Sequence, residues 1–241
     1  MSGRSICFAR ARSKEFYATR NDMTSSGPKR LTPPAPPADF AKIDLKTVYP
    51  PRRELFRLSH ERFGSPLFFN RGGDYRFDSL TAPWGVCYLG DSLLTSFLEV
   101  FADRIRQGRI HYAALNTMIA WKVTVPRDLN LLNLEGATLP KIKATLQSFV
   151  SRYSLSQAWG EAFMRHPEDL DGVIYKGRRS AGDCLALFGD NDPTKGRWHQ
   201  SSLVATRLGR ITEWSDFYKN VDETGARVVD LPTMPPTATW S

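Results

Sequence analysis

Five short stretches of the chain have the apolar alternation or the compact apolar run that is typical of β-strands. The clearest begins at Ile119, where apolar residues at every second position alternate with Lys122 and Thr124. Bounded by turn residues, these stretches predict strands at Glu54–Leu58, Val86–Leu89, Ile119–Val125, Val173–Tyr175 and Cys184–Phe188.

Helical periodicity follows the second predicted strand. Asp91 is the predicted N-cap of a helix that runs to about Gln107 and ends at Gly108. Its apolar stripe consists of Leu94, Leu98, Phe101 and Ile105, with Phe97 beside it. Two more helices are predicted at Pro140–Arg152 and Ser154–Arg165. Strands and helices do not alternate as βαβ units would, so an α+β fold is favoured over a doubly wound one.

Proline marks the N-terminal part of the chain. Seven of the 16 prolines fall between Pro28 and Pro51, a run that favours extended geometry and excludes helix or inner strand. We therefore predict a disordered basic tail and linker at residues 1–45, a folded domain at 46–230 and a disordered tail at 231–241. Removing residues 1–45 is expected to leave a stable domain.

Composition narrows the class of protein. The 241 residues are 41% hydrophobic and 24% charged, as expected for a folded protein with a core. No run approaches the roughly 20 apolar residues that cross a bilayer, and the N-terminus lacks a secretory apolar block. A cytoplasmic protein without membrane contact is expected. Three scattered cysteines without a C-x-x-C favour reduced thiols over disulfides or zinc.

The net charge of +8 does not by itself predict nucleic-acid binding. Residues 1–50 hold nine Lys/Arg against four Asp/Glu, and the remaining 191 hold 24 against 21. The folded part is therefore nearly balanced, whereas nucleic-acid domains usually carry their excess on a folded face.

The common motifs of metal and nucleotide sites do not occur in the sequence. None of the four histidines has a ligand-type partner at helical or hairpin spacing, so no metal is expected. There is no G-x-G-x-x-G, no P-loop and no G-x-S-x-G. The acidic run that begins at Asp190 lacks the glycine and the final glutamate of a calcium loop and is interpreted as a turn.

Several short motifs, in this order, resemble the RES domain family. They are Leu55-Phe56-Arg57-Leu58, Asp74-Tyr75-Arg76-Phe77, Gly85-Val86-Cys87-Tyr88-Leu89-Gly90, Phe97-Leu98-Glu99-Val100, Asp171-Gly172-Val173-Ile174-Tyr175 and Cys184-Leu185-Ala186-Leu187-Phe188. The resemblance implies an ADP-ribosyltransferase-like mixed sheet with flanking helices. It also implies breakdown of NAD, often by a toxin whose antitoxin partner binds DNA.

The resemblance also assigns residues. The family's arginine falls on Arg76, its tyrosine on Tyr88, its glutamate on Glu99 and its earlier arginine on Arg57. The chain departs from the family in having Tyr-Arg-Phe in place of Gly-Arg-Trp. The family's serine normally follows the closing tyrosine by two positions, where this chain has Gly177. Either Ser180 supplies the hydroxyl from a longer loop, or its role is lost.

The assigned residue types suit cleavage of NAD. Its nicotinamide–ribose bond breaks through an oxocarbenium-like state that a carboxylate such as Glu99 can stabilise. The pyrophosphate needs a planar double donor, for which Arg76 is the first choice and Arg57 the second. Tyr88 could stack on nicotinamide or ribose.

Each of these residues also has an ordinary structural alternative. Glu99 could be a solvated glutamate, the arginines could form surface salt bridges, Tyr88 could be a core tyrosine and Ser180 a turn serine.

The first hypothesis is therefore an NAD glycohydrolase or NAD phosphorylase that uses NAD as substrate and needs no cofactor. One alternative is a catalytically inactive binding module, and another is ADP-ribose transfer to a macromolecule. The oligomeric state stays open between a monomer and a homo-oligomer.

Overall fold

A computed structural model describes residues 32–45, 48–49, 54–78, 81–177, 180, 182–195, 198 and 202–231. The chain divides into two units, Met1–Thr32 and Pro33–Ser241. The described residues other than Thr32 all lie in the second unit. Of the predicted tails at 1–45 and 231–241, residues 1–31 and 232–241 lie outside the described residues.

Strands and helices are mixed along the chain. The strands are β1 (Val48–Tyr49), β2 (Glu54–His60), β3 (Gly85–Gly90), β4 (Arg109–His111), β5 (Met118–Thr124), β6 (Leu129–Asn133), β7 (Gly172–Lys176), β8 (Asp183–Gly189), β9 (Val204–Arg210) and β10 (Arg227–Val229). The α-helices are α1 (Leu93–Arg106), α2 (Tyr112–Asn116), α3 (Thr138–Lys141), α4 (Gln147–Val150), α5 (Tyr153–Met164) and α6 (Phe217–Glu223). Short 3₁₀ helices lie at Phe40–Lys42, Pro193–Lys195 and Ile211–Glu213.

Eight of the strands form one mixed sheet in the order β1-β6-β7-β8-β3-β2-β5-β9. β6 and β7 pair in parallel, and the other neighbours are antiparallel. β10 and β4 form a separate parallel pair. The predicted α+β class, a mixed sheet with flanking helices, is confirmed, and each of the five predicted strands is present.

The sheet has an apolar cluster on each face because side chains alternate along a strand. On β3, Val86 and Tyr88 belong to a cluster with α4 and α5, whereas Cys87 and Leu89 belong to a second cluster on the opposite face. Helix α1 covers the face that carries Val86 and Tyr88, but at β2 and β5, where Leu98 packs near Leu58 and Ala120. The predicted helix stripe is largely confirmed, with Phe97 rather than the half-buried Leu94 at its centre.

Two helix predictions are corrected. Ser92, not Asp91, caps α1, because its Oγ accepts from Thr95 N at 3.0 Å. The helix predicted at 140–152 is two short helices, α3 and α4. Lys143 between them has a φ of 58°, a left-handed conformation that cannot continue an α-helix.

The predicted N-terminal tail is too long. Phe40 and Leu45 are only 5% and 2% exposed and belong to the first cluster. The Phe40 ring contacts the rings of Trp159 and Phe163, and Pro34 O accepts from Trp159 Nε1 at 3.0 Å. Residues 34–45 therefore belong to the folded domain. The proline run excludes regular structure but does not prevent an extended segment from packing its few apolar side chains.

Within the described residues, no helix is long and apolar enough to cross a membrane. In the same part of the chain, no three acidic, histidine or cysteine side chains group as a metal site would require.

Candidate active site

Arg76 lies on the loop that runs from a short β-bridge at Asn70 to Asp78. Its side chain is buried, with 7% exposed, and its guanidinium lies over the Tyr175 ring at 5.0 Å from the ring centroid. Among the described residues, no carboxylate forms a salt bridge with it. A buried guanidinium without a carboxylate is suited to an anionic ligand, because burial without an opposite charge is unfavourable.

Tyr88 connects β3 to this loop through its hydroxyl. Its Oη donates to Asp78 Oδ1 at 3.0 Å and accepts from Phe77 N at 3.0 Å. Burial raises the pKa of Tyr88 well above its usual range. The Tyr75 ring, about half exposed, lies 5.7 Å from the Tyr88 ring. The hydroxyl is thus engaged within the protein, and the ring faces the same side of the sheet as Tyr175.

Glu99 lies on α1 beside the turn that joins β7 to β8. A Cβ added to Gly177 would lie 3.0 Å from Glu99 Oε1, 3.3 Å from Cys184 Sγ and in steric overlap with Ser180 Oγ. Glu99 is half-buried rather than fully solvated. Ser180 Oγ is buried and has no hydrogen-bond partner among the described residues. A carboxylate, a hydroxyl and a thiol therefore converge around the Cα of Gly177.

The turn that carries Ser180 is fastened to the start of α1. Asp91 Oδ2 accepts from Asp183 N at 2.8 Å, and Asp91 Oδ1 accepts from Thr95 Oγ1 at 2.7 Å. Gly182 packs so closely on Thr95 that an added Cβ would overlap its Oγ1. These contacts hold the β7–β8 turn against the helix that presents Glu99.

The pKa of the Cys184 thiol is affected by two charged residues of the site. Burial, with the nearby negative charge of Glu99, raises the pKa of the Cys184 thiol to about 12, and the positive charge of Arg76 lowers it. Cys184 Sγ lies near Glu99 Oε1 at the position of an added Gly177 Cβ, and Cys184 pairs with Tyr175, whose ring lies beside the Arg76 guanidinium. A thiol with so high a pKa is protonated at neutral pH, and the protonated form is a poor nucleophile.

Arg57 has a different environment. Its Nη1 lies 2.7 Å from Cys87 Sγ and 3.4 Å from Tyr88 O. Cys87 belongs to the cluster on the sheet face opposite the Tyr88 ring. β2 and β3 pair through Phe56 and Gly90, so Arg57 adds a side-chain link at this junction. The structure does not bring its guanidinium together with Arg76 and Glu99.

One protein-family model matches most of the described sheet. The model of the RES domain matches residues 54–206, from the start of β2 into β9, about two thirds of the chain. The chain belongs to the RES domain family. The matched range includes Arg57, Arg76, Tyr88 and Glu99, which the resemblance assigned, and also Ser180.

The RES domain also has structural neighbours. One is a chain from the MbcT–MbcA toxin–antitoxin complex of M. tuberculosis, with 16% sequence identity and a TM-score of 0.48. The alignment covers 73% of this chain and 94% of that chain. The comparison with curated proteins gave no match.

The sequence did not predict the contacts that three further residues make at this site. Asp78 accepts a hydrogen bond from Tyr88 at the end of the loop that carries Arg76. The Tyr175 ring lies beside the Arg76 guanidinium, and Gly177, which has no side chain, leaves the space that Ser180 Oγ occupies. The available signal for Asp78 was an acidic residue two positions after Arg76, on the segment that leads to β3. The contacts of Tyr175 and Gly177 depend on the sheet, so no local signal predicts them.

Proposed function

We propose that this RES domain cleaves the nicotinamide–ribose bond of NAD. The observation that carries the proposal is the convergence, on one sheet face, of a half-buried glutamate and a buried arginine that has no carboxylate partner among the described residues. The Arg76 guanidinium lies over Tyr175, Tyr175 pairs with Cys184, and Cys184 Sγ and Glu99 Oε1 flank the same position at Gly177, so one ligand could contact both charged groups.

Arg76 would hold the pyrophosphate. A planar guanidinium donates two parallel hydrogen bonds to phosphate oxygens, and its burial strengthens them by excluding water. The Tyr175 ring centroid lies 5.0 Å from the guanidinium carbon, and this cation–π contact would help to hold the guanidinium in the site.

Glu99 would stabilise the charge that develops on the ribose. As the bond to the cationic nicotinamide breaks, the electron pair leaves with nicotinamide and the ribose becomes oxocarbenium-like. A fixed carboxylate near that carbon lowers the barrier, because the protein has already oriented it before the charge appears.

Ser180 would supply a hydroxyl next to Glu99. A buried hydroxyl without a partner is unfavourable by roughly 1–3 kcal/mol, so a ligand that bonds to it recovers that free energy. The Tyr88 ring would form a wall of the same site, while its hydroxyl stays with Asp78.

The acceptor of ADP-ribose is water or phosphate in this proposal. The test is to incubate the purified full chain with NAD, with and without inorganic phosphate, and to follow nicotinamide release. Free ADP-ribose would identify a glycohydrolase, and a phosphorylated ADP-ribose formed only with phosphate would identify a phosphorylase. Unchanged NAD under both conditions would favour the inactive binding module. If the NAD is labelled in its adenine ring, label that stays on protein would favour transfer of ADP-ribose to a macromolecule.

We extend the proposal to a toxin restrained by an antitoxin, as the family resemblance implies. Induced expression of the chain in bacteria should then deplete NAD and arrest growth, whereas the Glu99→Gln variant should not. Growth arrest without NAD depletion would contradict this part of the proposal.

A further inference from the structure

The loop that carries Arg76 is tied to β3 at both of its ends. At the first end, Asn70 and Val86 exchange two backbone hydrogen bonds of 2.9 Å. At the second end, Asp78 is fully buried and reaches the Tyr88 hydroxyl. Between these ends, Tyr75 is about half exposed and Arg76 is buried.

Asp78 accepts three hydrogen bonds from three different parts of the chain. Tyr88 Oη donates to its Oδ1, while Asn70 Nδ2 and, at 3.3 Å, Tyr75 N donate to its Oδ2. The carboxylate thus joins both ends of the loop to each other and to β3. A buried acceptor with this many donors fixes the backbone strongly, since hydrogen bonds to charged groups contribute more than neutral ones.

The position of Arg76 depends on that backbone. Its guanidinium has the Tyr175 ring as its support and no salt bridge within the described residues. The next residue, Phe77, is fully buried and donates its N–H to Tyr88 Oη, which in turn donates to Asp78. Removing the carboxylate would leave both the Tyr88 hydroxyl and the Tyr75 N–H without their acceptor.

We propose that Asp78 is a positioning residue, which holds the loop so that Arg76 presents its guanidinium to the anionic part of the substrate. This inference rests on the proposed function for the identity of the substrate. It assigns Asp78 no contact with the substrate and no part in breaking the bond.

The carboxylate has few charged neighbours that could take over this role. Asp74, on the same loop, is exposed and raises the pKa of Asp78 slightly, and Tyr88 faces Asp78 from β3. From α5, the uncharged Gln157 reaches the loop and donates from Nε2 to Gly73 O and Tyr75 O. Asp74→Asn is therefore a matched control, because it removes a carboxylate from the same loop without removing the buried acceptor.

The experiment compares four purified full-length variants, Asp78→Ala, Arg76→Ala, the double variant and Asp74→Asn. For each, nicotinamide release from NAD gives KM and kcat, and hydrogen exchange reports the amides of residues 70–78. Circular dichroism checks the fold, and Asp78→Asn replaces Asp78→Ala if the latter does not fold.

Asp78→Ala should raise KM by about 10-fold or more while kcat changes far less, as expected for the loss of hydrogen bonds to a charged group. In the Arg76→Ala background the same substitution should change KM less than about 2-fold, because coupled residues are not additive. The Tyr75 and Phe77 amides should exchange faster in Asp78→Ala, and Asp74→Asn should behave as the wild type.

A full additive effect of Asp78→Ala in the Arg76→Ala background would overturn the inference, as would unchanged exchange of the loop amides. If the wild type releases no nicotinamide, the proposed function fails by itself. Binding of ADP-ribose, measured by calorimetry, then replaces KM in the same comparison and still decides whether Asp78 acts through Arg76.

Discussion

Ser180 Oγ occupies the space into which a side chain at Gly177 would project. Position 177 follows the closing tyrosine by two residues, where the family resemblance expects a serine. The Ser180 hydroxyl, which lies further along the β7–β8 turn, therefore occupies the place beside Glu99 that the side chain of a serine at position 177 would occupy. This relationship favours the interpretation that Ser180 supplies the missing hydroxyl.

Moving the hydroxyl along the chain tests this relationship. We expect Ser180→Ala to slow nicotinamide release by about 10-fold, as the loss of a hydrogen bond of roughly 1.5 kcal/mol would do. Adding Gly177→Ser to that variant should restore most of the rate, because the new side chain enters the vacated space. Gly177→Ala in the same Ser180→Ala background is the control and should restore nothing. Equal rates for the Ala and Ser additions would show that no hydroxyl is needed there.

Glu99→Gln should keep NAD binding and slow cleavage by about 10²-fold or more, because it keeps the shape but removes the charge that opposes the developing cation. The matched control is Asp103→Asn, one turn further along α1, where an exposed aspartate forms a salt bridge with Arg106. Turnover at saturating NAD decides the matter. A folded Gln variant with near-normal turnover would remove Glu99 from the mechanism.

Substitution by lysine should affect NAD binding differently at the two candidate arginines. Arg76→Lys keeps the charge but loses the planar pair of donors, so the Kd for NAD should rise by about 10-fold or more. Arg57→Lys should change that Kd little, since its guanidinium contacts β3 on the other face. Calorimetry with each variant gives both constants, and the reverse order would make Arg57 the anion clamp.

Asp78 should affect how stability depends on pH. Burial raises its pKa from 3.8 to about 6, so the folded protein binds a proton that the unfolded chain has released between these values. The free energy of unfolding should therefore fall as the pH rises through this window, by at most about 3 kcal/mol from this group. Asp78→Asn lacks the titrating group, so its urea unfolding between about pH 4 and 7 should show a correspondingly smaller fall. Parallel curves for variant and wild type would contradict the assignment.

The N-terminal boundary can be tested by two deletions. Removing residues 1–45 takes away Phe40 and Leu45 from the first cluster, and loss of one such phenylalanine costs about 3–5 kcal/mol. For a domain of this size, that loss lowers Tm by roughly 10 °C. The control removes only residues 1–32, so any difference between the two melting temperatures belongs to residues 33–45. Equal melting temperatures would restore the boundary predicted from the sequence.

Several features of this protein are determined by the sequence alone. Strands β2, β3, β5, β7 and β8 and helices α1 and α5 follow from apolar periodicity, which each segment carries within itself. The order of Arg57, Arg76, Tyr88 and Glu99 was sufficient to indicate the RES family.

The tertiary structure alone decided the arrangement of the site and the limits of the domain. Asp78 is hydrogen-bonded to Tyr88, Ser180 Oγ occupies the space at Gly177, and the Phe40 ring contacts Trp159. None of these contacts corresponds to a local pattern in the sequence. The helix predicted at 140–152 is interrupted at Lys143, and β6 pairs in parallel with β7 about 40 residues later. Such contacts join segments far apart in the chain, so they depend on which surfaces the folded sheet brings together. Local propensity describes single segments and carries no information about their partners.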